Sequence, residues 1–226
     1  MWLDLSATRP SQGYHTCNFT SIIEQESEAH YMAGSDHIPN ALLVIDIQDS
    51  FKATPRWRDR NNPAFEANVL RLIDGFRAAR EPVFYFLHSD KDEHFSVASP
   101  YYRLMDFLAP REGEPLIHKT SRNCFTSTNL LQQLLERHVG RVTISGIQTE
   151  QCCETTARVA ADLGFDVDFV TEATLTFPIP KTLEPGSEVL PVDEVVERTE
   201  YALRRRFARI CTVADVLVRS ALQPSA

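Results

Sequence analysis

Short apolar runs alternate with segments of helical periodicity along most of the chain, and this alternation restricts the fold more than any other feature. Residues 41–45 and 83–87 are continuous apolar or aromatic runs, whereas residues 65–76 repeat apolar side chains at helical spacing. A run without polar alternation suits a strand that is buried on both faces, as in a parallel sheet. Strands that alternate with helices in this way predict a three-layer α/β/α sandwich with right-handed crossovers.

The same pattern continues through the C-terminal half of the chain. Four further strands are predicted at residues 115–118, 142–145, 165–170 and 209–213. Further helices are predicted at residues 130–135, 152–163 and 192–207, and a terminal helix reaches residue 217. Residues 52–62, 89–114 and 174–190 are predicted to be loops that assemble the pocket, with a short helix as an alternative within residues 95–114.

The overall composition is that of one globular domain in a reducing compartment. A chain of 226 residues with 43% hydrophobic residues can bury a substantial core. The net charge of -8 argues against a nucleic-acid or membrane partner, and no apolar run approaches the roughly 18 residues that span a bilayer. Its five cysteines are too scattered for a disulfide framework, so we expect a cytoplasmic protein.

Residues 1–35 differ from the rest of the chain, because they are polar and show no sustained periodicity. No apolar segment precedes a small-residue cleavage site there, so the pattern does not indicate a signal peptide. We therefore divide the chain into an N-terminal arm at residues 1–35, either disordered or in contact with a neighbouring subunit, and a domain at residues 36–226. Met32 is a candidate alternative start, since the globular pattern begins shortly after it.

Residues 145–156 are the strongest candidate for a reactive site, because a strand, a glycine turn and a helix start follow one another there. Cys152 falls in the first helical turn, where unpaired N–H groups and the helix dipole stabilise a thiolate and could hold an oxyanion. From this stretch alone, a nucleophile and a small buried apolar residue are equally supported. Cys152 and Cys153 could also form a redox or soft-metal pair, although no second pair lies at zinc-site spacing.

Charged residues stand at the carboxyl ends of two predicted strands. Asp46 follows the first strand and Lys119 follows the third. The carboxyl ends of parallel strands carry the site in open α/β sheets, so both residues are placed for chemistry. Taken singly, Asp46 could equally cap a loop, and a lysine at a strand end is usually only an exposed charge.

Two histidines and two carboxylates follow the second strand within seven residues, namely His88, Asp90, Asp92 and His94. Such a group invites a metal site. Alternating polar residues without defined geometry more often form a solvated loop at the rim of a site, and we favour that interpretation.

Three segments in this order are similar to those of a known family: "LLVIDIQDSF" around Asp46, "IHKTSRNCF" around Lys119 and "SGIQTEQCCETT" around Cys152. With the downstream "ADLGFDVDFVTEAT", they resemble the isochorismatase-like cysteine hydrolase superfamily. That superfamily includes nicotinamidases, N-carbamoylsarcosine amidase, and ureidoacrylate and biuret amidohydrolases. The resemblance runs from about residue 41 to residue 217 and implies a six-stranded parallel sheet in the order 3-2-1-4-5-6.

The resemblance also implies roles for individual residues. Asp46 would be the general base, Lys119 the cation and Cys152 the nucleophile of an Asp-Lys-Cys triad. A cis peptide bond would lie between Ile147 and Gln148, and the backbone N–H groups of Gln148 and Cys152 would form the oxyanion hole. The histidine spacing of zinc-binding nicotinamidases is not matched, so no metal and no cofactor are predicted.

The sequence therefore predicts a cysteine hydrolase that cleaves a C–N bond of a small amide or ureido substrate through a thioester. Zinc-dependent, nicotinamidase-like amidase activity and a non-catalytic redox-sensing or binding role are the alternatives. By the same resemblance, a homodimer or homotetramer is expected. The residues predicted to line the substrate pocket are Phe51, Trp57, His88, Tyr101 and Phe125.

Overall fold

The computed structural model describes residues 38–222, with side chains described through residue 219. The predicted arm at residues 1–35 lies outside the described residues. Within residues 38–222, no helix combines the length and the apolar character needed to cross a membrane.

The core of the fold is a six-stranded sheet in which every neighbouring pair of strands is parallel. Residues 38–222 contain eight strands: β1 Asn40–Ile45, β2 Val83–His88, β3 Leu116–Lys119, β4 Arg141–Ile147, β5 Asp166–Leu175, β6 Ile179–Pro180, β7 Val189–Leu190 and β8 Arg209–Ile210. The order in the sheet is β3-β2-β1-β4-β5-β8, which confirms the predicted topology because two short strands outside the sheet precede the sixth one.

Helices connect these strands and cover the sheet. Two 3₁₀ turns, Asp49–Phe51 and Pro55–Asp59, follow β1, and one π-helical turn, Thr149–Cys153, follows β4. The described part of the chain has five α-helices: α1 Phe65–Ala78, α2 Leu130–Glu136, α3 Glu154–Asp162, α4 Val192–Leu203 and α5 Val213–Leu222.

The central strand β1 shows how the apolar runs produce two cores. Successive side chains of a strand point to opposite faces. Leu42 and Val44 accordingly pack with α1 and α5 on one face, whereas Ala41, Leu43 and Ile45 pack with α2, α3 and Leu203 of α4 on the other. All six residues of β1 are buried, which explains why the run contains no polar alternation.

Several predicted boundaries are wrong, including the end of the helix predicted at residues 192–207, which is α4 and ends at Leu203. Strand β5 extends to Leu175 rather than ending at residue 170, and the predicted loop at residues 174–190 contains an antiparallel hairpin of β6 and β7. Strand β8 covers only two residues, because α5 begins at Val213. Each difference depends on pairing or packing with distant residues, which local periodicity does not report.

Candidate active site

The carboxyl edge of the sheet brings the predicted catalytic residues together. Asp46 directly follows β1, Lys119 is the last residue of β3, and Cys152 lies in the π-helical turn after β4. All three are buried, and the side chains of Asp46 and Lys119 are completely inaccessible to solvent. The parallel arrangement explains this convergence, since all carboxyl ends of the strands meet at one edge.

The backbone around Asp46 is unusual in two places. Asp46 has a φ of 53°, in the left-handed region that few residues other than glycine adopt. Gly146, the register partner of Ile45, has a φ of 130°, and a Cβ atom added to it would lie 2.0 Å from the carbonyl oxygen of Ile45. Glycine is therefore required where β4 approaches the end of β1.

Asp46 and Lys119 form a buried ion pair, with 2.8 Å between Lys119 Nζ and Asp46 Oδ2. The ammonium also donates to the carbonyl oxygens of Ser121 and Arg122, each at 3.1 Å. Burial alone lowers the pKa of Lys119, but Asp46 together with Cys152 and Cys124 more than reverses this effect, and the pKa is raised. Lys119 therefore stays positively charged next to Asp46.

The second oxygen of Asp46 is available to the cysteine. Within residues 38–222, no N–H or O–H group donates to Asp46 Oδ1, although this atom is fully buried. The Cys152 thiol interacts with the same carboxylate. The arrangement pairs a carboxylate with a thiol at a buried position.

The electrostatics of Cys152 differ from the prediction. Burial and the Asp46 carboxylate raise the pKa of the thiol well above its usual range, and Lys119 offsets only part of the rise. The expectation of an easily ionised cysteine, made from the helix start and the nearby lysine, is therefore wrong for the resting site. The raised pKa favours the neutral thiol, so thiolate formation requires a group that takes its proton.

Cys152 and Asp46 lie in the wall of a cavity of about 250 Å³. Of the five residues predicted to line the pocket, the structure brings Phe51 and His88 to this cavity. The other lining residues are Arg56, Asp90, Asp92, Phe95, Arg122, Gln148 and Gln151. A larger cavity of about 610 Å³ between the ends of α3, α4 and β8 shares none of these residues and is remote from the cysteine.

Three predicted pocket residues are not in the cavity wall. Trp57 packs on the core behind Phe177, with ring centroids 6.3 Å apart, and Phe125 stacks on Phe165 in the core of the opposite face. Tyr101 is exposed and contacts the ring of His94 edge-on. Aromatic character indicated burial or a pocket equally well, and the tertiary contacts decided between them.

The charged residues of the cavity wall were missed or assigned only to a solvated rim. Neither Arg56 nor Arg122 was among the residues predicted to line the pocket, although Arg56 belongs to the loop at residues 52–62 that was predicted to help assemble it. The signal that could have found them is their position, because both follow the carboxyl end of a predicted strand within eleven residues. Gln48 was also overlooked; its side chain bonds the backbone of His88 in both directions, at 2.8 and 3.1 Å, and so joins the ends of β1 and β2.

His88 stands between two cations rather than among metal ligands. Its Nδ1 lies 3.4 Å from Lys119 Nζ, and its Nε2 contacts the guanidinium of Arg122. Burial and these cations lower the pKa of His88, so its ring is neutral near pH 7. Within the part of the chain that the structure describes, no group of three His, Cys, Asp or Glu side chains could hold a metal ion. The donors at residues 88–94 therefore do not fit the zinc site of the alternative hypothesis.

The Ile147–Gln148 peptide bond is cis, as the resemblance implies. The bond joins the end of β4 to the turn that carries Cys152. The assignment of the Gln148 and Cys152 N–H groups to an oxyanion hole stays a prediction.

Comparison with known proteins gives the family. A family model described as the isochorismatase domain matches residues 40–215. The chain belongs to the isochorismatase family. This family assignment confirms the resemblance read from the three sequence segments, and the chain is a hydrolase of that family.

Two relatives have named activities. The chain is 32% identical over 152 residues to nicotinamidase 3 of Arabidopsis thaliana, covering 61% of this chain and 73% of that one. It is 25% identical over 211 residues to ureidoacrylate amidohydrolase of Rhizobium rhizogenes, covering 77% of this chain and 80% of the relative.

A solved structure shows the same fold. A putative hydrolase of the isochorismatase family from Chromobacterium violaceum is 25% identical, with a TM-score of 0.74. The match covers 84% of this chain and 100% of that one.

Proposed function

We propose that this isochorismatase-family hydrolase cleaves a C–N bond of a small amide or ureido compound, with Cys152 as nucleophile, Asp46 as general base and Lys119 as the supporting cation. The observation that carries the proposal is the buried ion pair of 2.8 Å between Asp46 and Lys119 beside a neutral thiol. A carboxylate that is paired with a lysine and lies next to a thiol is suited to take the thiol proton at the moment of attack.

The first half of the reaction forms a thioester. Asp46 accepts the thiol proton while Cys152 Sγ attacks the substrate carbonyl carbon, and the carbonyl oxygen becomes an oxyanion. The N–H groups of Gln148 and Cys152 are the proposed donors to that oxyanion. Collapse of the tetrahedral intermediate breaks the C–N bond, and protonated Asp46 returns its proton to the leaving nitrogen.

The second half removes the acyl group. Asp46, again a carboxylate, takes a proton from a water molecule that attacks the thioester carbonyl. Departure of the sulfur, with the proton of Asp46, regenerates the thiol and releases a carboxylic acid or a carbamate. Lys119 remains protonated throughout, so it stabilises each anionic form of the site without donating a proton itself.

The relatives support the bond class. A nicotinamidase and a ureidoacrylate amidohydrolase are both named for cleavage of C–N bonds in small molecules. A cavity of about 250 Å³ is smaller than the roughly 300–1,000 Å³ typical of sites for drug-sized ligands, which also favours a small substrate. Cytoplasmic location and homo-oligomerisation stay predictions.

The test is ammonia release from a panel of small primary amides and ureido compounds, with hydroxylamine added to intercept the thioester as a hydroxamate. We expect Cys152→Ala to lower kcat by about 10⁴-fold or more. The matched control is Cys153→Ala, whose side chain is fully buried and absent from the cavity wall; we expect it to retain activity within about threefold. Hydrolysis that persists in Cys152→Ala, or is lost equally in both variants, would contradict the proposal.

The same preparation tests the alternatives. Stoichiometric zinc that is lost together with activity on chelation would support the nicotinamidase-like alternative instead. A redox sensor requires an accessible thiol of low pKa, whereas burial raises the pKa of both Cys152 and Cys153. Rapid, reversible oxidation of the pair without any hydrolase activity would nevertheless favour that role.

A further inference from the structure

The cavity contains two arginines, and their contacts differ. Arg122 already has polar partners in the protein, because its guanidinium contacts Nε2 of His88 and lies 3.5 Å from Asp90 Oδ2. Arg56 has no comparable polar partner. Within residues 38–222 its guanidinium forms no hydrogen bond and no ion pair, and it contacts two aromatic rings instead.

Those rings hold Arg56 at the cavity wall. The guanidinium carbon lies 5.0 Å from the centroid of the Phe177 ring and 5.8 Å from that of Phe51. The backbone of Arg56 is part of the 3₁₀ turn Pro55–Asp59. Stacking occupies the face of a guanidinium and leaves the five N–H donors at its edge available.

The acidic groups near Arg56 do not use these donors. Glu150 and Asp92 act on it only at longer range. Glu150 accepts hydrogen bonds from Thr176 and Gln148, and Asp92 accepts one from the backbone N–H of His94. Arg56 is an exposed residue, so its guanidinium can be reached from solvent, while partial burial of the group lowers its pKa more than Glu150 and Asp92 raise it. A cation in this state favours an anion supplied by a ligand.

We propose that Arg56 binds the carboxylate of the substrate, so that the hydrolase is selective for small amides or ureido compounds that carry an acid group. A guanidinium and a carboxylate can form two parallel hydrogen bonds, which fixes the orientation of the substrate as well as its position. This inference rests on the proposed function, because it assigns the group that accompanies the scissile amide in the same cavity.

The kinetic test compares substrates that differ only in the acid group. Succinamic acid is paired with butyramide, and ureidoacetic acid with ethylurea, so that a methyl group replaces each carboxylate. We expect kcat/KM to favour each acid by about 30-fold, mainly through KM. Arg56→Met should remove this preference by lowering kcat/KM of each acid far more than that of its neutral partner, and Arg56→Lys should retain part of the preference, since a lysine keeps the charge but not the fork.

Arg58 provides a matched control. It lies in the same 3₁₀ turn, two residues along the chain, and is absent from the cavity wall. Arg58→Met should leave the preference for the acids intact. An equal loss in Arg56→Met and Arg58→Met, or an equal effect of Arg56→Met on acid and neutral substrates, would overturn the assignment.

Calorimetry separates failure of this inference from failure of the proposed function. The same four compounds are titrated into Cys152→Ala protein, with and without Arg56→Met. Tighter binding of the acids that depends on Arg56, without turnover by the wild type, would support anion recognition and contradict the hydrolytic proposal. Turnover without a preference for the acids, or no binding of either acid to Cys152→Ala protein, would overturn the role of Arg56.

Discussion

Two carboxylates are completely buried in the sheet, Asp46 at the end of β1 and Asp168 within β5, but their surroundings differ. Asp168 accepts hydrogen bonds from Arg209 through Nε at 2.9 Å and Nη2, and its other oxygen contacts Arg219. Asp46 has one cation, Lys119, and its second oxygen receives no N–H or O–H donor within residues 38–222.

The comparison shows that the surroundings of a buried aspartate determine whether it is suited to stabilise the fold or to accept a proton. A buried anion is stable when its lone pairs are occupied by donors, as they are in Asp168. An anion with a free lone pair is less satisfied and can accept a proton from a neighbouring group. Asp46 has such a neighbour in Cys152 and only one cation. The Cys211 thiol likewise donates to Asp168, at 3.6 Å, but both oxygens of Asp168 are also bound by arginines, which do not release protons.

Neutralising each carboxylate should separate the two roles. We expect Asp46→Asn to lower kcat/KM by about 10³-fold, because an amide cannot take the proton of Cys152. Asp168→Asn should change kcat/KM of the folded fraction by less than about threefold. Steady-state assays corrected for folded protein by circular dichroism give both values, and a comparable loss in the two variants would contradict the distinction.

The stability of the same variants should show a large effect at Asp168. We expect Asp168→Asn to lower the free energy of unfolding by about 3 kcal/mol, because its arginines lose a buried counter-ion. Asp166→Asn is the matched control, since Asp166 also pairs with an arginine, at 2.9 Å from Arg141, but has a side chain that is 59% exposed. Its loss should stay below about 0.5 kcal/mol. Urea unfolding measures both, and equal values would show that burial does not decide the contribution.

Alkylation of Cys152 tests how Asp46 and Lys119 oppose one another. Because the pKa of the thiol is raised, labelling of the wild type by iodoacetamide should be slow at pH 7 and accelerate as the pH rises. Asp46→Asn removes a charge that raises this pKa, so labelling at pH 7 should become about tenfold faster. Lys119→Met removes a charge that lowers this pKa, so labelling should be slower than in the wild type. Peptide mass mapping assigns the site, and unchanged rates in both variants would exclude this electrostatic account.

A third carboxylate, Glu114, extends the comparison to a partly exposed pair. Arg77 donates to it through two nitrogens at 2.7 Å each, and the backbone N–H of Arg111 donates at 2.8 Å. Burial raises the pKa of Glu114, but these hydrogen bonds outweigh it and the pKa is lowered. The pair therefore stabilises the fold above the unfolded-state pKa, and the contribution disappears as the pH falls through the lowered value.

We expect Glu114→Gln to cost about 1 kcal/mol at pH 7. The difference from the wild type should shrink below about pH 4.3, where the unfolded carboxyl is protonated. Urea unfolding at several pH values measures it. A difference that stays constant down to pH 2 would mean that the charge of Glu114 contributes nothing.

Local patterns predicted most of the fold. The apolar runs at β1, β2 and β4 are long enough, and sufficiently free of polar residues, to indicate buried parallel strands. The hairpin of β6 and β7 was not predicted, because its strands have only two residues each and are exposed. The short β8 was predicted too long, since its end is set by the start of α5.

In the site, the strand-end residues were predicted better than the residues of the cavity wall. Asp46, Lys119 and Cys152 were found because each follows a strand, and chain direction alone puts those ends at one edge. Trp57 and Phe125 were assigned to the pocket on residue type, and their contacts with distant core residues place them elsewhere.

The sequence by itself determined the order of strands and helices along the chain and the strand-end positions of three candidate catalytic residues, because both depend on the spacing of residues along the chain. Only the tertiary structure decided the charge states and the cavity wall. The pKa of Cys152 depends on burial and on Asp46, which is more than a hundred residues away in the chain. The unpaired state of Arg56 likewise depends on rings and acids from four separate segments. The pKa of Cys152 and the unpaired state of Arg56 both depend on residues that are close in space but distant in the chain. The spacing of residues in the sequence therefore does not predict them.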